Sequence, residues 1–554
     1  MYGGYRNAKA IRRTAFLGVQ ERLAALPGLR HVGGQGMSVL RSLLLVLSIV
    51  ALAVSARADD SSPIDNSALI PKLQPDSEVL MEGLSPDWVK TLIMAEVRIE
   101  SATPEGTFDA AVQVLDHYAR MGVNGLWITP IWERGSIGNG YVNFGPYTIE
   151  PLLTGASDIE GSYEAVKRFV DEAHRRNIRV FFDAIVWGTH PEAELVQTHP
   201  EFFDMKTTAE NNIKALFNWK SETVKEWYTE AMVRFVEKTG ADGFRVDLAP
   251  HTSGYFFGQV REALYARGHK VAIFSESMND RRETFDFEQT GVGGWNEEPD
   301  YANLSNLKDQ HARFGKHHDY LLKRNIVDVV QGGEGIGKAS LQRPGEGSPF
   351  RYYTTNLLTH DDREPFVQGN RVRFAYTGIF TPFIPIWWIG EEWDNPRKMM
   401  RNQKTTGVMY FNTIDWSLLE EPAHSAFHED AKRYIRIRRS HPEIFEYFPE
   451  HTRDANIAKV SSLRDGQPNP LQAYARFRNG KALLIVPNYE ASTAQSDFEI
   501  APDYSLLGLD PARSYGVRDL MSDTLLASGS LAELAKFHSQ IPAERVGIYL
   551  VSPK

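Results

Sequence analysis

The segment that most constrains the fold is Gly243-Phe244-Arg245-Val246-Asp247-Leu248-Ala249-Pro250-His251. It predicts a short buried strand that runs into a loop, because Gly243 opens an apolar run and Pro250 closes it. Arg245 and Asp247 are two residues apart, so their side chains point to the same side of an extended chain. A carboxylate beside an always-protonated guanidinium is expected to stay ionised at neutral pH. Such a group suits a nucleophile better than a proton donor.

Two further acids follow strand-like runs later in the chain. Glu276 comes just after the run Val271-Ala272-Ile273, and Asp361 closes the segment Asn356-Leu357-Leu358-Thr359-His360-Asp361. Taken singly, each acid is equally well explained as a helix cap or as the partner of a surface arginine. Three acids in order, each at the end of a strand-like run, indicate a catalytic group instead.

These three segments resemble the motifs of the α-amylase superfamily of retaining enzymes that act on α-glucosides. The motifs of that family are G-F-R-x-D-x-x-x-H, a glutamate after the fifth strand, and N-H-D or its like after the seventh. The resemblance covers most of the chain from Asp87 to Lys554. It implies a barrel enzyme that cleaves an α-glucosidic bond through a covalent glycosyl intermediate.

The composition excludes several other classes of protein. The chain has 554 residues, 42% of them hydrophobic, a net charge of −10 and no cysteine. It is long enough for a barrel plus a smaller domain, and it has no basic patch to bind nucleic acid. The absence of cysteine excludes disulfides, thiolate zinc sites and a catalytic thiol. No glycine-rich phosphate-binding loop follows a strand, which disfavours an unrelated nucleotide-dependent α/β enzyme.

The amino terminus resembles a secretory signal. A basic start at Met37 is followed by an uncharged run from 42 to 56 and a small-x-small site at Ala56-Arg57-Ala58. This pattern predicts cleavage near Ala58 and a secreted or periplasmic protein. The alternative, a membrane anchor, is disfavoured because the run is shorter than the roughly 20 residues of a spanning helix. Residues 1–36 are explained equally well as a misassigned start, an extended leader or an organellar presequence.

The remaining chain divides into a tether and two domains. Residues 59–86 are polar and punctuated by proline, and from 87 onwards buried strands alternate with amphipathic helices. Such alternation predicts an α/β fold with a parallel sheet, and the span 87–441 suits a (β/α)8 TIM barrel. The connection at about 187–221, after strand 3, is long, and the resemblance implies a short inserted subdomain there. The hairpin signal at Asn479-Gly480 predicts a carboxy-terminal antiparallel β domain, a β-sandwich, over 442–554.

The resemblance assigns a role to each of the three acids. Asp247 corresponds to the nucleophile, and Glu276 to the acid that protonates the departing oxygen and then activates the incoming water or sugar hydroxyl. Asp361 corresponds to the acid that holds ring hydroxyls while the sugar distorts. Retaining chemistry needs the nucleophile and the acid only about 5–5.5 Å apart, with one ionised and one protonated. The charge of the nucleophile and partial burial are expected to raise the pKa of the acid.

A second set of residues is expected to bind substrate: Tyr141, Asp183, Arg245, His251 and His360. By the resemblance, Tyr141 stacks under the cleaved sugar, and His360 and His251 lie beside it. Taken alone, a tyrosine on an aromatic loop such as Tyr141 is more often a core residue, and His360 would be interpreted as a packed histidine if Asp361 did not follow it. The expected partner is an oligo- or polysaccharide, with no nucleic acid and no stable membrane anchor; the motifs do not specify the oligomeric state.

The first motif of the family departs from its usual form. The family has D-x-x-x-N-H where this chain has Asp183-Ala184-Ile185-Val186-Trp187-Gly188-Thr189-His190. Trp187 replaces an asparagine that often ligates calcium, and Gly188 replaces a histidine at the sugar. His190 is interpreted as a loop histidine rather than a substitute. No cofactor is therefore assigned, and the calcium site usual in the family is in doubt.

These departures favour a divergent subfamily that acts on shorter or different α-glucosides. Two alternatives share the barrel: a glucanotransferase or isomerase with the same three acids, and a non-catalytic relative that binds sugars or a partner. The non-catalytic relative is disfavoured because such proteins lose one or more of the three acids, whereas this chain retains all three.

Overall fold

The structure is a computed structural model. It describes residues 80–81, 85–135, 140–205, 214–247, 256–276, 287–289, 327, 352–356, 360, 370–381, 383–396, 399–401, 409–411, 413–445, 456–489 and 494–554. The leader, the cleavage site and most of the tether lie outside these ranges. None of the described helices is long and apolar enough to cross a membrane.

Eight parallel strands close into a barrel. They are β1 (Met94–Val97), β2 (Gly125–Ile128), β3 (Arg179–Ile185), β4 (Gly243–Asp247), β5 (Ala272–Glu276), β6 (Phe287–Gln289), β7 (Tyr352–Asn356) and β8 (Ile384–Trp388). Neighbours in this order pair with one another, and β8 pairs with β1 to complete the ring. The predicted (β/α)8 barrel is confirmed.

Helices follow the strands on the outside of the barrel. They are α1 (Phe108–Met121), α2 (Ile159–Arg175), α3 (Glu222–Thr239), α4 (Phe256–Ala266), α5 (Asn370–Arg373), which continues as a π-helical segment Phe374–Ile379, and α6 (Pro422–Ser440). The sequence predicts Thr107 as the cap of helix α1 and Gly122 as its stop. The side chain of Thr107 accepts from the backbone N–H of Ala110, and Gly122 follows the helix with φ of 93°. A left-handed residue at this position favours glycine, as the sequence indicated.

Two sequence expectations about element ends were wrong. The apolar run Thr91-Leu92-Ile93-Met94-Ala95 predicts a buried first strand over those residues, but residues 87–91 form a 3₁₀ turn and the strand begins at Met94. The Thr91 hydroxyl donates to the carbonyl of Trp88 at 2.8 Å, which favours the turn over a strand. The sequence pattern predicts that helix α2 begins at Ser162, but the helix begins at Ile159. Its cap is Asp158, which accepts from the backbone N–H of Gly161 at 2.8 Å, and Ser162 lies buried inside the helix.

The barrel interior is filled by side chains that alternate along the strands. One apolar cluster contains Met94 of β1, Trp127 of β2, Phe181 of β3 and Phe274 of β5. Since strand side chains alternate between faces, residues two positions later lie on the same inner face, one layer nearer the carboxyl ends of the strands. Those positions are Glu96, Asp183 and their neighbours, where TIM-barrel enzymes carry their active sites.

Gly243 is required by the close packing of β4 against β5. A Cβ atom added at this position would collide with the backbone carbonyl of Ala272. Gly243 therefore lets β4 and β5 approach each other closely. This packing places Arg245 and Asp247, later on β4, at the mouth of the barrel.

A short antiparallel pair follows β3, as expected for the inserted subdomain. Gly188–Thr189 pairs with Ala215–Leu216, and a short helix, Glu194–Thr198, lies between them. The insertion begins immediately after the strand that carries Asp183, so its conformation bears directly on the barrel mouth.

The carboxy-terminal domain is an antiparallel sheet of nine strands. They are β9 (Ile457–Arg464), β10 (Gln467–Pro468), β11 (Ala473–Arg478), β12 (Lys481–Asn488), β13 (Gln495–Ala501), β14 (Ser514–Asp519), β15 (Thr524–Ser530), β16 (Phe537–Pro542) and β17 (Arg545–Pro553). The expected hairpin joins β11 to β12 through Asn479 and Gly480, with φ of 51° and 72°. Two successive left-handed residues are what a tight two-residue hairpin turn requires.

Candidate active site

Arg245 joins two aspartates at the carboxyl ends of adjacent strands. Its Nη1 donates to Oδ1 of Asp183 at 2.9 Å and to Oδ1 of Asp247 at 2.8 Å. All three side chains are at least nine-tenths buried. Asp183 and Arg245 lie opposite each other in the register of β3 and β4, so the pairing of these strands creates the cluster. The expected contact between Arg245 and Asp247 is present.

Asp183 is shifted towards its protonated form. Burial raises the pKa of this carboxyl to about 6, and the charge of Asp247 adds to the rise, while Arg245 opposes both. One guanidinium therefore serves two carboxylates that repel each other, and the ionised state of Asp183 is costly below neutral pH.

Tyr141 lies on the other side of Asp183. Its hydroxyl donates to Oδ2 of Asp183 at 3.1 Å, and burial, followed by the charge of Asp183, raises the pKa of the phenol well above its usual value. The tyrosine ring is stacked on the ring of His360, with centroids 4.9 Å apart and planes at 15°. Two residues expected at the cleaved sugar, 219 positions apart in the chain, are thus in contact.

Trp127 forms the floor of this cluster. The guanidinium carbon of Arg245 lies 4.8 Å from the centroid of the indole, and the edge of the His360 ring faces it at 5.6 Å. The fully buried indole excludes water from below and attracts the cation above it. The charged groups consequently lie on a dry aromatic base and not on solvated strand ends.

Glu96 is a site residue that sequence reasoning missed. Its carboxylate is fully buried, and its Oε1 lies 2.5 Å from Nδ1 of His360. No motif marks this residue, because it lies inside an otherwise apolar strand. A charged residue directly after the apolar run that ends at Ala95 was the available signal, since buried carboxylates are rare unless they are paired.

The structure brings together five of the eight predicted site residues, namely Tyr141, Asp183, Arg245, Asp247 and His360. Glu276 is the last residue of β5, and its backbone pairs in register with Gln289. His251 and Asp361 lie outside the described residues. The roles assigned to Glu276, His251 and Asp361 therefore stay predictions.

Trp187, which stands where the family motif has an asparagine, contacts a lysine. Nζ of Lys214, a buried residue of the insertion, lies 4.1 Å from the centroid of the Trp187 ring. An indole provides no oxygen ligand, and an ammonium repels a divalent cation. These residues do not fit the calcium ion that the family motif implies. Within the described ranges, no group of three or more acids and histidines could hold a metal ion.

His190 is part of the loop that follows β3. Its Nδ1 accepts from the backbone N–H of Glu192 at 3.1 Å, and its ring contacts Phe144 edge-on at 5.5 Å. Burial lowers the pKa of His190, so the neutral ring is favoured. This environment suits the predicted loop histidine.

Comparison with known proteins supports the same family. Residues 87–207 match the model of the alpha amylase catalytic domain. The chain is 22% identical over 439 residues to the alpha-amylase MalA of Haloarcula japonica, covering 73% of this chain. It is 25% identical over 338 residues to a malto-oligosyltrehalose trehalohydrolase of Arthrobacter ramosus, covering 54% of this chain. The chain spans 56% of the length of each of these relatives.

A solved structure shows the same fold. The noncanonic maltogenic alpha-amylase AmyB from Thermotoga neapolitana superposes with a TM-score of 0.58 at 17% identity, covering 83% of this chain and 99% of that one. At this identity the likeness establishes the architecture of barrel and carboxy-terminal sheet.

Proposed function

We propose that the chain is a divergent member of the α-amylase superfamily and a retaining α-glucoside hydrolase acting on α-glucans or maltooligosaccharides, which the match to the catalytic-domain model and the similar proteins support. The observation that carries the proposal is the position of Asp247. Its carboxylate lies at the mouth of a closed parallel barrel and is held at 2.8 Å by a buried guanidinium. A carboxylate fixed by a guanidinium at this place suits attack on an anomeric carbon.

The first chemical step follows from the charges of the described residues. Asp247 attacks the anomeric carbon as the glycosidic bond breaks, and a proton from Glu276 goes to the departing oxygen. As Asp247 becomes an ester, it loses its negative charge, and Arg245 keeps Asp183 as its remaining partner at 2.9 Å. The guanidinium thus keeps an anionic partner when Asp247 is neutralised, which avoids the free-energy cost of an unpaired buried charge.

The second step releases the sugar. Glu276, now a carboxylate, removes a proton from water, which attacks the anomeric carbon and frees Asp247. Two displacements at one carbon return the original α configuration. A sugar hydroxyl can take the place of water in this step, so transfer to a second sugar is the alternative outcome of the same site.

The stacked rings of Tyr141 and His360 provide the expected platform for the sugar. His360 is buried and Tyr141 is half-buried beside the acids, and the tyrosine hydroxyl donates to Asp183. An aromatic face beside carboxylates suits a pyranose ring, which has apolar faces and polar edges. The substrate class is therefore a neutral sugar bound in the barrel mouth.

The test is product analysis with the purified protein. Maltooligosaccharides would be incubated with the wild-type chain, reducing ends counted, and the configuration of fresh product followed by proton NMR. We expect α-configured products first, and a loss of about 10³-fold or more in kcat for Asp247→Asn. Addition of a free sugar acceptor in the same assay measures how much product arises by transfer.

Asp242→Asn is the matched control. Asp242 lies just before the same strand, at the opposite end of the barrel, where it binds His174 and Arg179 at 2.7 and 3.1 Å. The same substitution there is expected to lower stability and leave kcat within about threefold. No turnover of any α-glucoside, or full activity in Asp247→Asn, would contradict the proposed function.

We also propose that the mature protein is secreted or periplasmic and begins near Asp59. The support is the sequence pattern alone, a basic start at Met37 and a small-x-small site ending at Ala58. Expression of the full chain in a bacterial host, followed by fractionation and amino-terminal sequencing, tests this. A cytosolic protein that retains residues 37–58 would rule it out.

A further inference from the structure

Glu96 occupies a position in the barrel where a charge is costly. It lies on β1, two residues after Met94, and is fully buried. Its neighbours in register are Trp127 on β2 and Trp388 on β8. A carboxylate between two tryptophans is strongly unfavourable unless specific donors meet it. The structure therefore calls for a reason to place an acid here.

The polar partners of Glu96 come from a single residue, His360, which lies 264 positions later in the chain. Oε1 of Glu96 lies 2.5 Å from Nδ1 of His360 and accepts from the backbone N–H of His360 at 3.3 Å. The backbone N–H and the ring nitrogen Nδ1 of one residue therefore converge on one oxygen. This arrangement fixes both the backbone and the ring of His360 relative to strand β1.

The surroundings of Nδ1 determine where the histidine carries hydrogen. The hydroxyl of Tyr141 donates to Asp183, so the tyrosine oxygen, 3.4 Å from Nδ1, faces it as an acceptor. Glu96 presents a second acceptor to the same nitrogen. An imidazole nitrogen that faces two oxygen acceptors carries the hydrogen, in the neutral and in the charged ring alike. The other ring nitrogen, Nε2, then lies on the opposite edge of the ring.

We propose that Glu96 is a positioning residue of the active site, which acts through His360. Its carboxylate holds the hydrogen at Nδ1 and keeps the ring parallel to Tyr141, so that the Nε2 edge is presented to the bound sugar. This inference rests on the proposed function for its kinetic consequence, because His360 is there the residue beside the sugar. The geometric part, the placement of the hydrogen and of the ring, is independent of activity.

Two substitutions separate hydrogen bonding from filling of space. Glu96→Met keeps the volume and removes the acceptor, while Glu96→Gln keeps an amide oxygen that can accept from Nδ1. We expect Glu96→Met to lower kcat about 10- to 100-fold, the range found for residues that orient a ligand through hydrogen bonds, with KM changed less than about threefold. Glu96→Gln is expected to recover activity to within about fivefold of the wild type.

A double-mutant cycle tests whether the effect passes through His360. If it does, Glu96→Met costs less than about twofold in a His360→Ala background. An equal loss in both backgrounds overturns the proposal. Glu392→Gln is the matched control, because Glu392 is another fully buried carboxylate bound to a histidine, His117 of helix α1, at 3.1 Å. It is expected to change stability and leave kcat within about twofold.

A spectroscopic measurement decides the geometric part without any substrate. The chain would be labelled with ¹⁵N-histidine, and the signals of His360 identified by their loss in His360→Ala. We expect hydrogen on Nδ1 of His360 in the wild type and in Glu96→Gln, and a changed pattern in Glu96→Met. Hydrogen on Nε2 alone in the wild type, or an identical pattern in all variants, overturns the proposal. If the wild type cleaves no α-glucoside, the proposed function fails and this spectrum still decides the role of Glu96.

Discussion

Arg245 and Asp247 lie on one face of one strand, and their side chains meet at 2.8 Å between Nη1 and Oδ1. The contact is local in sequence, yet its strength depends on burial, since Arg245 is only 1% exposed. In water an ion pair of this kind contributes little, whereas a desolvated pair with matched geometry is stronger.

This contact predicts that Arg245→Lys is not a conservative change. A lysine places its charge on one compact ammonium and loses the planar array of donors, so it cannot reproduce both carboxylate contacts with the stacking on Trp127. We expect kcat to fall by about 100-fold or more in steady-state assays on maltooligosaccharides. Arg179→Lys, at the amino end of β3, is the control and is expected to leave kcat unchanged; equal losses in both variants would argue against a catalytic role for Arg245.

The raised pKa of Asp183 predicts a dependence of stability on pH. Burial raises the pKa of Asp183 in the folded chain to about 6, above the 3.8 usual for an aspartate. Between these two pH values the folded state holds more protons than the unfolded state, so this group's contribution to stability falls as pH rises. In Asp183→Asn the contribution is absent. The thermal-unfolding midpoint of the wild type, relative to that of Asp183→Asn, should therefore fall between pH 4 and pH 7, and a constant difference would refute the assignment.

Two substitutions of Tyr141 are expected to distinguish the contribution of its ring stacking from that of its hydrogen bond. Tyr141→Phe keeps the ring beside His360 and loses the 3.1 Å bond to Asp183, whereas Tyr141→Ala loses both contacts. Removal of one partner of a buried hydrogen bond costs about 1–3 kcal/mol. We expect kcat/KM to fall about 10-fold for the phenylalanine variant and at least a further 10-fold for the alanine variant. Equal values for the two variants would show that the ring has no part in binding the sugar.

The contact between Lys214 and Trp187 predicts that the two ends of the insertion are held together by a cation over an indole. Such a contact is worth about 2 kcal/mol when desolvated. Lys214→Met keeps the hydrocarbon stem and removes the charge, so limited proteolysis should cut the segment 187–221 faster than in the wild type. Lys220→Met, at an exposed position of the same segment, is the control. Combined with Trp187→Leu, Lys214→Met should have little further effect; additive losses would contradict a direct contact.

Much of the fold could be predicted because its signals are local. The helix cap at Thr107, the left-handed stop at Gly122 and the turn at Asn479-Gly480 each follow from backbone conformations that few other residues adopt. The position of strand β4, which carries Arg245 and Asp247, follows from Gly243 at its start and Pro250 after its end. The bounds of β1 and α2 could not be predicted as well, because side-chain bonds from Thr91 and Asp158 decided them.

The sequence by itself determined which residue types stand at the ends of the barrel strands, since alternation along each strand assigns them to one face. Only the tertiary structure decided which of them meet. Glu96 and His360 are 264 positions apart, and Trp187 meets Lys214 from across the insertion. These contacts arise when the barrel closes β8 against β1 and the loop returns beside β3. Ring closure is a property of all eight strands together, and no local pattern in the chain encodes it.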